Sequence, residues 1–185
     1  MYCALLVMFE TPRFSLKLTI RPERPADIAR IRGVNELAFG QPDEAALVDA
    51  VRARGERSIS LVAVIGERLV GHVLFTPVTI QGPDCVHQAV GLAPMAVDPD
   101  HQRRGIGSRL IAHGLDRCRE SGYRVAVVLG HPTYYPRFGF VPARQHGIRF
   151  ALDVPHEAFM VIELEPGALD GCTGVANYVQ EFMSR

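Results

Sequence analysis

Residues 123–129 read YRVAVVL, so five apolar side chains follow Arg124 without a break. A strand with one wet face alternates apolar and polar residues. A run without alternation has to be covered on both faces. The chain therefore needs a sheet with a layer on each side, which excludes a plain helical bundle and a one-sided sheet. At 185 residues those layers have to come from a single domain.

The rest of the pattern supplies them. Residues 16–21 (LKLTIR) alternate like a half-buried strand, and residues 59–65 and 69–80 are β-branched-rich runs joined by Gly66-Glu67-Arg68, a hairpin connection. Residues 87–97, 148–152 and 159–164 read as further strands. Two helices in succession are predicted after the first strand. Pro25 suits a first helical turn, and Ile28, Ile31, Val34 and Ala38 recur at helical spacing. Gly40-Gln41-Pro42 breaks the chain; Asp43 and Glu44 then open a helix whose stripe is Leu47, Val48 and Val51. A third helix over residues 105–120 carries Ile106, Leu110, Ile111, Leu115 and Cys118 on one side and stops at Gly122. The expectation is an α/β (α+β) fold: one domain over residues 17–185, a mixed sheet of six to seven strands flanked by helices, preceded by a loosely ordered extension over residues 1–16.

Twenty basic and twenty acidic residues cancel, so no chain-wide footprint for nucleic acid or a membrane surface is present. The opening MYCALLVMF is apolar, but it lacks a positive leader and is too short to span a bilayer, so neither a signal peptide nor a membrane anchor is expected. Cys3, Cys85, Cys118 and Cys172 are scattered, with no Cys-x-x-Cys pair and no histidine at metal-finger spacing. They read as reduced thiols of a cytoplasmic protein without a metal site.

The chemistry concentrates in residues 97–108, VDPDHQRRGIGS. A strand ends there, a short turn follows, and a Gly-rich segment opens a helix. The first N–H groups of a helix have no intrahelical partner, and the macrodipole leaves partial positive charge beside them. Gly105 and Gly107 let an anion approach that backbone, while Gln102, Arg103 and Arg104 add donors and charge at the same spot. Together these describe a pyrophosphate cradle. The dinucleotide fingerprint G-x-G-x-x-G fails, because Leu110 stands where the third glycine belongs, and the nucleoside-triphosphate loop G-x-x-x-x-G-K-[ST] is absent.

Gln102-Arg103-Arg104-Gly105-Ile106-Gly107 resembles the [QR]-x-x-G-x-[GA] signature of the GCN5-related N-acetyltransferase (GNAT) family, and Tyr135-Pro136-Arg137-Phe138-Gly139-Phe140 is similar to its Y-x-x-x-G-F ending. The order of elements fits the same fold. The resemblance implies that Gln102, Arg103, Arg104, Gly105, Ile106, Gly107 and Ser108 hold the pyrophosphate of acetyl-coenzyme A (acetyl-CoA), and that Met95, Ala96 and Val97 run beside its pantetheine arm. It also implies that the strands over 87–97 and 123–129 splay around the acetyl group, that an N–H near Val97 receives the developing oxyanion, and that Tyr135 protonates the leaving thiolate. Tyr134 reads as packing. The chain departs from the family pattern at Gly130-His131-Pro132-Thr133, where Pro132 disfavours the usual helix, and no carboxylate lies on residues 91–97 to act as base.

The implied activity is transfer of an acetyl group to a primary amine of a small molecule or peptide, by direct attack. The general base stays open among Glu36, Glu44, His72, His131 and water. A covalent cysteine route is disfavoured, since Cys118 lies on a buried stripe and Cys85 in a turn whose nearest histidine, His87, begins the next strand. The alternative from another class is a non-catalytic acyl-CoA sensor or partner-binding module. The resemblance also admits a homodimer, to which the segment after Glu165 would contribute if it did not fold back on the domain.

Overall fold

A computed structural model of the chain describes residues 17–55 and 57–178; the expected extension over 1–16 lies outside them. The predicted strands form as β1 (Leu18–Pro22), β2 (Ile59–Ile65), β3 (Arg68–Gln81), β4 (Val86–Val97), β5 (Val125–Leu129), β7 (Ile148–Phe150) and β8 (Phe159–Glu163). Two short strands were not anticipated, β6 (Val141–Pro142) and β9 (Gly174–Asn177), which makes a nine-stranded sheet. Its order is β1-β2-β3-β4-β5-β8-β6, with β9 joining β3 and β7 off that path. Pairing is antiparallel except for β4–β5 and β7–β9. The described part of the segment after Glu165, residues 166–178, thus packs back on its own chain, because β9 pairs with residues 79–81 of β3.

The helices are α1 (Ile28–Phe39), α2 (Asp43–Ala53) and α3 (Ile106–Glu120). They cover opposite faces, as strand parity shows. Leu61 and Ala63 on β2 and Ala126 and Val128 on β5 join one core with Leu110, Ile111 and Leu115 of α3. Val62 faces Ile31, Val34, Leu47 and Val48 of α1 and α2. Val125 and Val127 turn to the same side, where Ile148, Phe159 and Ala176 close the rest of that face. The apolar run at 125–128 is buried on both faces, which is the requirement its sequence imposed.

Gly114 sits in mid-helix, where glycine costs about 1 kcal/mol against alanine. Its position is set by packing: a Cβ there would lie 2.2 Å from Cε2 of Phe75, a fully buried ring. Gly114→Ala is expected to destabilise by about 1–3 kcal/mol despite its better propensity, read as a lower urea midpoint with an unchanged slope.

One buried polar chain crosses the α1–α2 side. Asn35 Nδ2 meets His72 Nδ1 at 3.1 Å, and His72 Nε2 meets Ser60 Oγ at 3.0 Å. Ser60 donates to Glu23, whose carboxylate accepts from Arg52 at 3.0 Å. His72 and Asn35 are fully buried. Burial holds His72 neutral, pushing its pKa down from 6.5 to about 4, with Glu23 opposing and Arg52 assisting.

Candidate active site

The site begins where β4 and β5 part. They pair at Val90–Ala126, Gly91–Val127 and Leu92–Val128 and no further. Beyond Leu92, β4 stays on β3 through Met95–Val73, Ala96–His72 and Val97–Gly71, while β5 stays on β8. Between Leu92 and Met95 two steps on β3 oppose three on β4, a bulge at Ala93-Pro94. Such a bulge re-aims a strand, and here it opens a wedge between two neighbours of one sheet. The predicted splay is present.

The free edge of β4 has a defined direction. Asp98 N–H donates to Val70 O on β3 at 2.9 Å. Because successive residues of a strand point their backbone groups to opposite sides, Ala96 shares that direction, whereas Met95 and Val97 aim theirs into the wedge. Gln102 Nε2 reaches Val97 O at 3.0 Å, as this parity requires.

Asp98 anchors the turn out of the strand. It is buried, accepts from Asp100 N–H at 3.0 Å and from Arg68 at 2.8 Å. Burial alone would raise its pKa, but these two donors overcome that and hold the carboxyl below its usual range. The chain then takes left-handed backbone at Arg103 (φ 58°) and Gly105 (φ 78°). A non-glycine residue in that region is costly, by roughly 1–3 kcal/mol, and such strain tends to sit at functional turns. Alternation of this kind turns consecutive N–H groups toward one point, which is an anion-binding geometry. Gly105 precedes α3 with no side-chain cap, so the first-turn N–H groups of the helix stay open. Space alone does not demand glycine at 105, since an added Cβ would meet nothing within 4 Å; the positive φ does. Gly107 is glycine for a neighbour, because a Cβ there would stand 3.0 Å from the Tyr134 hydroxyl.

Between β5 and β6 the chain has no regular helix. A single 3₁₀ turn, Tyr135–Phe138, replaces it, in keeping with Pro132. Tyr135 is buried, its ring edge-on to Tyr134 at 5.2 Å and to Phe140 at 5.7 Å. Gly130 makes room for that ring, as a Cβ at 130 would lie 2.2 Å from Tyr135 Cε2. Burial, reinforced by Tyr134, pushes the Tyr135 phenol up from 10.0 to about 12. Tyr134 is half-buried beneath the Arg137 guanidinium, 4.5 Å from its ring centre.

These parts enclose a cleft of about 930 Å³. Of the residues expected at a coenzyme site, Met95, Val97, Gln102, Arg103, Gly105, Ile106, Gly107 and Ser108 line it, and so does Tyr135. Ala96 does not; it is buried against α1 and α2, and its backbone faces β3. Arg104 stands exposed beside the cleft without lining it. Among the candidate bases, Glu44 and His131 line the cleft, whereas Glu36 pairs with Arg32 on the surface and His72 lies in the buried polar chain. Sequence reasoning missed Leu129 and Tyr134 as lining groups.

Cysteine chemistry lies elsewhere. Cys118 is buried, which raises its thiol to about 12. Contrary to the sequence expectation, Cys85 does meet a histidine, with Sγ 3.0 Å from His87 Nε2, but this pair sits at the β3–β4 hairpin and does not line the cleft. Among the described residues, no cluster of three or more His, Cys, Asp or Glu side chains could hold a metal ion, and no helix is long and apolar enough to cross a membrane.

Comparison with known proteins agrees with this geometry. The chain is 39% identical over 166 residues to the uncharacterized N-acetyltransferase YhbS of Escherichia coli K12, covering 89% of this chain and 98% of that protein. It is 39% identical over 135 residues to YjhQ of the same strain, covering 71% and 75%. The crystal structure of E. coli YhbS in complex with CoA superposes with a TM-score of 0.86 at 38% identity, covering 91% of this chain and 93% of that one. A GNAT-family acetyltransferase from Brucella melitensis in complex with acetyl-CoA gives 0.74 at 35% identity, covering 90% and 99%. Residues 19–143 match the family described as the acetyltransferase (GNAT) domain. With the splayed strands, the Gly-rich helix start and these relatives in agreement, the chain belongs to the GNAT acetyltransferase family and is an acyltransferase.

Proposed function

We propose that the protein binds acetyl-CoA in this cleft and transfers its acetyl group to a primary amine by direct attack. The observation that carries the reading is the meeting, in one cleft, of a left-handed turn at an uncapped helix start and a strand edge with two N–H groups aimed into a wedge. A negatively charged, amide-bearing co-substrate suits both. The co-substrate supplies the thioester, and the amine forms a C–N bond as the C–S bond breaks, leaving an amide and free CoA thiol. The N-acyltransferase domain in this reading begins at Lys17.

The residues divide the work. N–H groups from Gly105 to Ser108 hold the pyrophosphate, and Gln102, Arg103 and Arg104 supply charge and donors at the turn. Met95 and Val97 pair with the pantetheine amides along the open edge of β4. An N–H on that edge stabilises the developing oxyanion. Tyr135, deep in the cleft, gives its proton to the departing sulfur. The amine has to be neutral when it attacks, so its proton leaves to water, His131 or Glu44, the candidates that line the cleft.

Release of CoA thiol from acetyl-CoA across a panel of amines tests the reading; turnover that requires both the amine and Tyr135 supports it, and none on any amine counts against it. The cradle has its own check. Reversing Arg103 and Arg104 to Glu is expected to weaken acetyl-CoA binding by at least about tenfold, about 1.4 kcal/mol, by titration calorimetry. Unchanged affinity would place the pyrophosphate elsewhere.

A further inference from the structure

The cleft has two chemically different walls. On the α3 side stand the helix start, Arg103, and Arg137 held over the Tyr134 ring. On the other side, the last turn of α1 gives Ala38 and Phe39 and the first turns of α2 give Glu44 and Leu47. Leu129 belongs to this second wall by strand parity, since Val125 and Val127 face the α1–α2 side and Leu129 follows in the same phase. Phe39 and Leu129 are 42% and 43% exposed, an unusual state for two large apolar side chains at the rim of one cleft.

Glu44 is the one carboxylate among the described residues that line the cleft. Its neighbours Glu36 and Asp49 are neutralised, by Arg32 at 3.0 Å and by Arg32 and Arg52 at 2.6 and 2.7 Å. Among the described residues Glu44 has no such partner; there its oxygens accept only from the Gln41 amide, at 3.1 and 3.2 Å, and a neutral amide leaves the negative charge uncancelled. Positive charge therefore lies on the wall that suits a polyphosphate, and free negative charge lies on the apolar wall opposite.

We propose that Glu44, on the α1–α2 wall, selects acceptors with an apolar body and a second cationic group beyond the amine that reacts. This rests on the acetyltransferase reading. The attacking nitrogen has to shed its proton, so a carboxylate serves recognition best by pairing with a charge that persists, at the far end of the acceptor. The same charge separation sorts the two substrates: an ammonium end is repelled from the arginine wall, and a polyphosphate from Glu44.

Three acceptors of equal length test it: cadaverine, n-pentylamine and δ-aminovalerate, which end in an ammonium, a methyl and a carboxylate. Acetyl transfer to cadaverine is expected to exceed that to pentylamine by about three- to fivefold in kcat/KM, beyond the statistical factor of about two, with aminovalerate poorest. Glu44→Gln should bring the cadaverine-to-pentylamine ratio close to the statistical factor, and Glu44→Arg should make aminovalerate the preferred acceptor. A ratio kept in both variants overturns the proposal, including the case where all three acceptors slow together because Glu44 is the base. Should none of the three be turned over, calorimetry of each into the CoA-loaded protein decides: preferential binding of cadaverine that Glu44→Gln abolishes supports selection, and its absence overturns it. Failure of the protein to bind CoA at all would instead remove the acetyltransferase reading beneath it.

Discussion

Tyr135→Phe is expected to lower kcat by about 10²- to 10⁴-fold while changing acetyl-CoA affinity by less than about twofold. The ring is fixed by Tyr134, Phe140 and the space left at Gly130, and phenylalanine fills the same volume, so the variant removes one hydroxyl and little else. With its pKa pushed up to about 12, the phenol stays protonated at any working pH, as an acid has to. It is also a weaker acid than a free phenol. The proton therefore has to move while the C–S bond is breaking, and the proton released by the amine restores the phenol. Two consequences are measurable. The rate should show no alkaline decline from Tyr135 below about pH 11, because ionisation waits for a pKa near 12. Tyr134→Phe should cost less than about tenfold, as its hydroxyl lies over Gly107 at the helix start. A large loss in Tyr134→Phe with Tyr135→Phe nearly intact would exchange the two roles.

Stability should fall steeply in mild acid. His72 titrates near 4 in the folded protein and near 6.5 when unfolded, so the unfolded state binds the extra proton between these values. The contribution is present in full above pH 6.5 and is lost as pH falls toward 4. At 1.36 kcal/mol for each unit it amounts to about 3 kcal/mol. Urea unfolding between pH 4 and 7 measures it. His72→Gln should be less stable at pH 7 but nearly flat across that window. A variant as pH-dependent as the parent would mean that other groups control acid unfolding.

The layers of the fold were legible because they follow from local patterns. The unbroken apolar run at 125–129 asked for cover on both faces, and the stripes of α1, α2 and α3 supplied it. Strands β6 and β9 escaped because two and four residues carry no period, and β9 exists through its pairing with β3 far away in sequence. At the site, the Gly-rich helix start was readable as chemistry, since glycine and arginine spacing is local. The direction of each backbone group was not. Which of Met95, Ala96 and Val97 faces the wedge depends on the phase of β4 against β3, which the bulge at Ala93-Pro94 resets. The choice among four candidate bases also needed tertiary contacts. His72 looks like a strand histidine in sequence, and only the meeting of Asn35, Ser60 and Glu23 shows that it is spent on the core.

Titration of the protein with acetyl-CoA, with ATP and NADPH as controls, asks whether the turn before α3 holds a coenzyme. Micromolar binding of acetyl-CoA alone is expected, weakened at least about tenfold when Arg103 and Arg104 are both reversed to Glu. Absence of acetyl-CoA binding, or a preference for either control nucleotide, would mean that the cleft is not an acetyl-CoA site.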